Sequence, residues 1–347
     1  MKRLTGQAPV ESISLEVQWS PIWEVILGIA GYTHRELRHT FEMDATWLAA
    51  ADDMPKSLVT LLEEIEKTNF WYGMIMLQNE FEAQSVQEFS NKLAALSPSS
   101  FYEILLPYKG RDYESLRKDA AAENAKQELF QDYAAIFDNH EYFGGYVEKL
   151  GQYSQKEMSD LVVSTIKGWH SWISQQGCWK KWVRALEFEG QQNRSLDFSK
   201  PFEEIDRVTG GVKYLPEPSV WTVKMIPHVS YRPWLLENRT FDTKLFFYPI
   251  KDAFLTEPGE PPAELVRGHK ALGDELRLKI LYHLLKGPLS LQDISMHFKT
   301  SKTRLHHQLS LLKAARFVSV EKGIYSVNPE QVQSFSEKLT HFLDVKE

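Results

Sequence analysis

Ser301–Lys313, SKTRLHHQLSLLK, sets Leu305, Leu309 and Leu312 at spacings of four and three, which lines one side of a helix with leucine. Lys302, Thr303, Arg304, His306, His307 and Ser310 fall away from that side. With Leu305 turned inward, Thr303, His307 and Ser310 point most directly outward. His306 lies beside them, and Lys302 and Arg304 flank them. Such a rod needs other elements to cover its leucines, so the neighbouring sequence decides what it belongs to.

Upstream, Asp274 can cap a helix with an inner face of Leu278, Leu281 and Leu285, ended by Gly287 and Pro288. Ser290 can cap a short second helix carrying Leu291, Ile294 and Phe298, and Thr300 or Ser301 then caps the leucine-lined one. Two short helices across a tight turn make a helix-turn-helix, whose second member can enter the major groove. Downstream, FVSVEKGIYSV alternates on either side of Lys322 and Gly323, the pattern of a β-hairpin. Helix-turn-helix plus hairpin predicts a winged helix. Flanking cations suit phosphates, and outward short polar groups and imidazoles suit base edges. The expected DNA-binding residues are Ser301, Lys302, Thr303, Arg304, His306, His307, Ser310 and, at the wing tip, Lys322.

In near gapless register over some 55 residues, this segment resembles the ArsR-type winged-helix transcription regulators. Asp274, Arg277, Leu278, Ile280 and Leu281 match that family's D-x-x-R-L-x-I-L. Ser301, Leu309, Leu312 and Ala315 fall on its S-x-S-T-V-S-R-H-L-x-x-L-x-x-A-G run, where Thr303, Arg304, His306 and His307 fill the S, T, S and R places. The resemblance implies that those four touch DNA. His307 replaces the usual arginine, and Arg316 stands where a helix-ending glycine is common. The family's thiolate metal site needs cysteines where this chain has Ser290 and Gln292, and its C-terminal-helix site needs an Asp-x-His that is absent near Asn328. Metal sensing of those kinds is not expected. Val332, Phe335, Leu339 and Phe342 stripe a last helix. Related regulators dimerise through such a helix; packing on the chain's own large domain is the alternative, and a homodimer is expected here.

The chain has 347 residues, 43% hydrophobic and 25% charged, enough for two or three domains with cores of their own. EPGEPPAE (Glu257–Glu264) interrupts regular structure, and all ten tryptophans precede it. The expected division is residues 1–256, a linker at 257–263, and a winged-helix domain at 264–347. From Glu264 onward 13 Lys and Arg face 9 Asp and Glu, a balance of +4, whereas the remainder carries 27 against 38, or −11. A basic module on an acidic body suits one that alone meets a polyanion. One cysteine, Cys178, excludes a disulfide framework. The N-terminal stretch lacks a signal-peptide core, and no run of about 18 apolar residues follows, so a cytoplasmic location without membrane contact is expected.

The first 256 residues read mostly as helix: 21–31, 57–67, the long polar stretch 113–138, 159–176 and 178–190. Strands are expected in ISLEVQW, VWTVKMIP and TKLFFYPI, as a small sheet tying the start of the domain to its end. The fold class is therefore mainly α (α+β), a large helical domain with a small β-sheet followed by a winged helix. VWTVKMIPHVSYRPW and TKLFFYPI look like a domain of uncharacterised role that precedes the winged helix in a subgroup of ArsR-type regulators. No phosphate loop, G-x-S-x-G, H-E-x-x-H or paired cysteine occurs, so no catalytic residues and no cofactor are expected. HRELRH sets His34 and His39 five apart, poor spacing for a shared metal, and reads as a solvated face. Trp169, Trp172, Trp179 and Trp182 surround a Gln-Gln-Gly turn. They pack a helical hairpin or, alternatively, line a pocket for a small-molecule effector. The whole reads as a DNA-binding regulator. Its rivals are an enzyme with an appended winged helix and a protein-interaction module.

Overall fold

Apart from Glu24, PIWEVILGIAGYT is apolar on every side, and a helix of that composition has to lie in the middle of its unit. It does so in the computed structural model of the chain, which describes residues 13–193, 196–256 and 259–343. Along the chain the helices are α1 (Pro21–Thr33), α2 (Arg35–Arg38), α3 (Asp44–Ala49), α4 (Lys56–Thr68), α5 (Trp71–Phe81), α6 (Val86–Ala94), α7 (Pro98–Leu105), α8 (Glu114–Ala122), α9 (Gln127–Ala135), α10 (Phe143–Leu150), α11 (Gln155–Ile173), α12 (Trp179–Gln192), α13 (Pro201–Thr209), α14 (Ala263–Leu272), α15 (Glu275–Leu284), α16 (Leu291–Phe298), α17 (Lys302–Ala314) and α18 (Pro329–Leu343). The strands are β1 (Ser14–Val17), β2 (Thr222–His228), β3 (Leu236–Arg239), β4 (Thr243–Pro249), β5 (Leu289–Ser290), β6 (Val318–Glu321) and β7 (Ile324–Val327). Among the described residues no helix is long and apolar enough to cross a membrane.

The chain divides into two units, but not at the expected linker. Of the described residues, one unit holds those up to Thr33, those of Ala50–Tyr231 and Leu235–Ile250; the other holds His34–Ala49, Arg232–Trp234 and the described residues from Lys251 onward. The boundary thus falls ahead of 257–263, of which residues 257 and 258 lie outside the described residues. Two earlier segments join the C-terminal unit.

In the large unit a four-stranded sheet has the order β1-β2-β4-β3, with β1 and β4 parallel to β2 and β3 antiparallel to β4. The sheet ties the start of the unit to its end, as its strand sequences predict. β3 is an addition, because LENR is short and polar and gives no alternation to read. Leu15, Val223, Met225, Phe246 and Tyr248 cluster with Ile205 of α13 on one face, and on the other Phe247 meets Trp23 of α1 edge to face at 5.2 Å. Odd and even strand positions thus serve two cores. The stretch 113–138 is two helices rather than one. The Asn124 side chain donates to the Ala121 carbonyl at 3.1 Å, offering that acceptor a partner outside the helical ladder.

Gly28 brings α1 against α11, since a Cβ there would lie 2.7 Å from Nε1 of Trp169. Gly28→Ala is expected to cost about 1–3 kcal/mol through overpacking, measured by chemical denaturation. His170, on α11, is half-buried, with its ring 5.9 Å from that of Trp179. Burial holds its pKa below the ordinary imidazole value. The unfolded chain therefore binds the proton first as pH falls, and this contribution to stability is complete above about pH 6.5 and is lost as pH drops through the lowered folded value. Denaturation midpoints between pH 7 and 5 should fall less steeply for His170→Gln than for the wild type.

The aromatic turn is a hairpin core. Trp169, Trp172, Trp179 and Trp182 are all buried, with ring centroids 5.0 Å apart for the first pair and 6.4 Å for the second. Trp172 also borders a cleft of about 790 Å³ with Leu58, Leu61, Gly168 and Ser171. Its Nε1 has no hydrogen-bond partner among the described residues.

Candidate nucleic-acid interface

Four side-chain caps and one buried arginine build the C-terminal unit. Asp274 accepts from the Arg277 amide at 3.0 Å and starts α15. Arg277 then turns inward, donating to the carbonyls of Ala271 at 2.6 Å and Lys270 at 2.8 Å and to Gln308 at 2.6 Å. Its guanidinium satisfies the exposed end of α14, and the inner face of α15 is consequently Arg277, Ile280, Leu281 and Leu284. This corrects the expectation for Leu278 and Leu285, which are 50% and 57% exposed. Ser290 and Asp293 form a capping box on α16. Lys299 ends that helix in the left-handed region at φ 50°, and Ser301, not Thr300, caps α17 by accepting from the Arg304 amide. Asp252 supplies the fourth cap from outside, taking the Glu264 amide at 2.9 Å at the start of α14.

Leu305, Leu309 and Leu312 join a core with Leu265, Ile280, Ile294, Phe317 and Phe335. β6 and β7 form the wing, with Lys322 (φ 49°) and Gly323 (φ 80°) making its tight turn. Lys322 is exposed at the tip. Arg316 takes φ 60° just past α17, the left-handed position that glycine usually fills.

On the outer side of α17, Ser301, Lys302, Thr303, Arg304, His306 and His307 are all exposed. They form one continuous surface over the helix's first two turns. Ser310 departs from that expectation, since it is only 4% exposed and its hydroxyl donates to the His307 carbonyl at 2.7 Å. What covers it is the segment His34–Ala49. The His39 ring stacks on His307 with centroids 4.1 Å apart and planes 28° off parallel, and its Nε2 lies 3.3 Å from Ser310 Oγ. A serine hydroxyl has one proton, already given to the carbonyl, so His39 is the donor in that contact and carries its hydrogen on Nε2. HRELRH is therefore more than a solvated face.

Arg232–Trp234 adds a second brace. Trp234 donates to Thr40 Oγ1 at 2.8 Å, and Lys313 sits over its ring at 5.4 Å. Glu42 holds both braces to the winged helix, accepting from Arg232 at 2.8 Å and from Arg267 of α14, while Arg232 also pairs with Asp252. Burial pushes the Arg267 guanidinium below its ordinary value; Glu42 opposes this and Arg232 reinforces it. Among the described residues no group of three or more His, Cys, Asp or Glu is placed to hold a metal ion.

Residues 274–320 match the model of the bacterial regulatory protein arsR family. Over 79 residues the chain is 35% identical to the transcriptional repressor SdpR of Bacillus subtilis (strain 168), a stretch that covers 22% of this chain and 88% of that protein. No solved structure matches the chain.

Proposed function

The chain belongs to the ArsR family of bacterial regulatory proteins, and from that premise we propose that it is a homodimeric transcription regulator whose α17 reads operator DNA in the major groove. Its helix-turn-helix makes it a DNA-binding regulator. The observation that carries operator reading is the surface of Lys302, Thr303, Arg304, His306 and His307, exposed while the leucines behind them are fully buried. Thr303 and the imidazoles meet base edges; Lys302, Arg304 and Lys322 meet phosphates. α18 packs on its own unit, with Phe335 over Gly268 of α14. Val266 and Leu343 stay exposed on those two helices, and a second copy covers them. Twofold pairing then presents two α17 helices to half-sites one helical turn apart.

The protein acts in the cytoplasm by binding rather than catalysis. A small-molecule effector enters the cleft beside Trp172, whose unpartnered Nε1 offers it a donor, and shifts the spacing of the two winged helices. Selection from randomised duplexes tests the reading: a motif of two inverted half-sites about 10 bp apart supports it, and recovery of no duplex overturns it. That failure would favour a second reading, an interaction module, for which Leu278 and Tyr282 on α15, Leu285 just past it and Met296 on α16 provide exposed apolar side chains.

A further inference from the structure

We infer that the effector of the cleft beside Trp172 is an organic anion with an apolar body, a carboxylic acid in its ionised form. The inference rests on the reading of that cleft as the effector site and adds the chemistry of its ligand.

The cleft lies wholly within the large unit, between α4 and α11. Ser164, Lys167, Gly168 and Ser171 stand at i, i+3, i+4 and i+7, so they share one side of α11. A Cβ on Gly168 would lie 3.1 Å from Leu58 Cδ1 of α4, so the two helices approach closely there. What stays open beside this crossing is about 790 Å³, room for a small organic molecule. Its floor is Leu58, Leu61 and Trp172, of which Leu58 is 1% and Trp172 5% exposed. That floor suits a hydrocarbon body.

The polar groups around the floor favour an acceptor that carries negative charge. Trp172 Nε1 is a buried donor without a hydrogen-bond partner among the described residues, and an indole nitrogen can only donate. A donor left so carries an uncompensated desolvation cost, which an acceptor on the ligand recovers. Pro55 and Ser57 border the cleft at the start of α4, where no side chain caps the helix. The Pro55 carbonyl takes the amides of Leu58 and Val59, while those of Lys56 and Ser57 have no acceptor among the described residues. An open helix start of this kind attracts anions. Lys167, on the lining, is exposed and makes no ion pair among the described residues. Asp53 is the one acid on the lining; it precedes the positive end of α4, which offsets its charge. Indole, helix start and ammonium all call for the same ligand chemistry.

Fluorine NMR of full-length protein labelled with 5-fluorotryptophan tests this, with octanoate, octanol and octylamine as probes that share one body and differ in the head. The Trp172 signal is identified by its loss in Trp172→Phe. Octanoate should move that signal saturably. Octanol should bind about tenfold more weakly, since it forgoes the ammonium and the helix start. Octylamine, which Asp53 alone would favour, should bind most weakly. Lys167→Gln, a change at an exposed position, should weaken octanoate about fivefold and leave octanol unchanged. Octanol or octylamine binding as tightly as octanoate would overturn the anionic class and leave the cleft as the effector site. Octanoate binding to Lys167→Gln as tightly as to the wild type would also overturn it. A Trp172 signal that moves with none of the three probes overturns both the class and the cleft. No DNA is present in these titrations, so failure of operator reading leaves each of their outcomes in place.

Discussion

Glu42→Ala is expected to destabilise the C-terminal unit by about 3–5 kcal/mol, the cost of removing one partner from a buried ion pair. Glu42 is shared by Arg232, which is 4% exposed, and Arg267. Without it Arg232 keeps Asp252, but Arg267 loses the carboxylate that offsets its burial, and the two guanidiniums repel each other. Glu42→Gln preserves an acceptor and should cost less. Hydrogen exchange of the α14 and α17 amides reads the loss in this unit directly. A change below about 1 kcal/mol would place the network with ordinary surface ion pairs.

The second large effect concerns affinity. Thr303→Ala/Arg304→Ala/His307→Ala should weaken operator binding at least about 100-fold, from base and phosphate contacts each worth about 1–3 kcal/mol. All three side chains are exposed, so unfolding should shift by at most about 1 kcal/mol, chiefly through the lost stack on His39. Fluorescence anisotropy with a labelled duplex checks the first, and thermal unfolding the second.

Much of the winged helix was legible because its signals are local. The leucine spacing of α17, the Ser290 and Ser301 caps and the Lys322–Gly323 turn each act within a few residues. Errors arose where two local patterns compete or where the partner is distant. α15 carries two stripes that share Leu281, and Arg277 wins the inner one only because carbonyls at the end of α14 wait for its guanidinium. Ser310 has the outward spacing of a groove-facing residue, yet it is covered by His39, 271 positions away. Likewise Glu42 meets Arg232 and Arg267 across 190 and 225 positions. No periodicity encodes such pairings, so the assignment of 34–49 and 232–234 to the C-terminal unit was invisible from sequence. The large unit was legible in its strands and buried helices, whose composition declares burial, and Trp172 was legible as a pocket candidate; the lining that Leu58 and Leu61 add from more than 100 positions away was not.

Photocrosslinking tests the central claim, that the exposed side of α17 lies against DNA, most directly. A photoreactive phenylalanine analogue replaces Thr303 in one protein and Leu278, also exposed but on α15, in another, and each is irradiated with the selected duplex. The account predicts covalent DNA adducts from position 303 and none from 278. Adducts from 278 alone would contradict it.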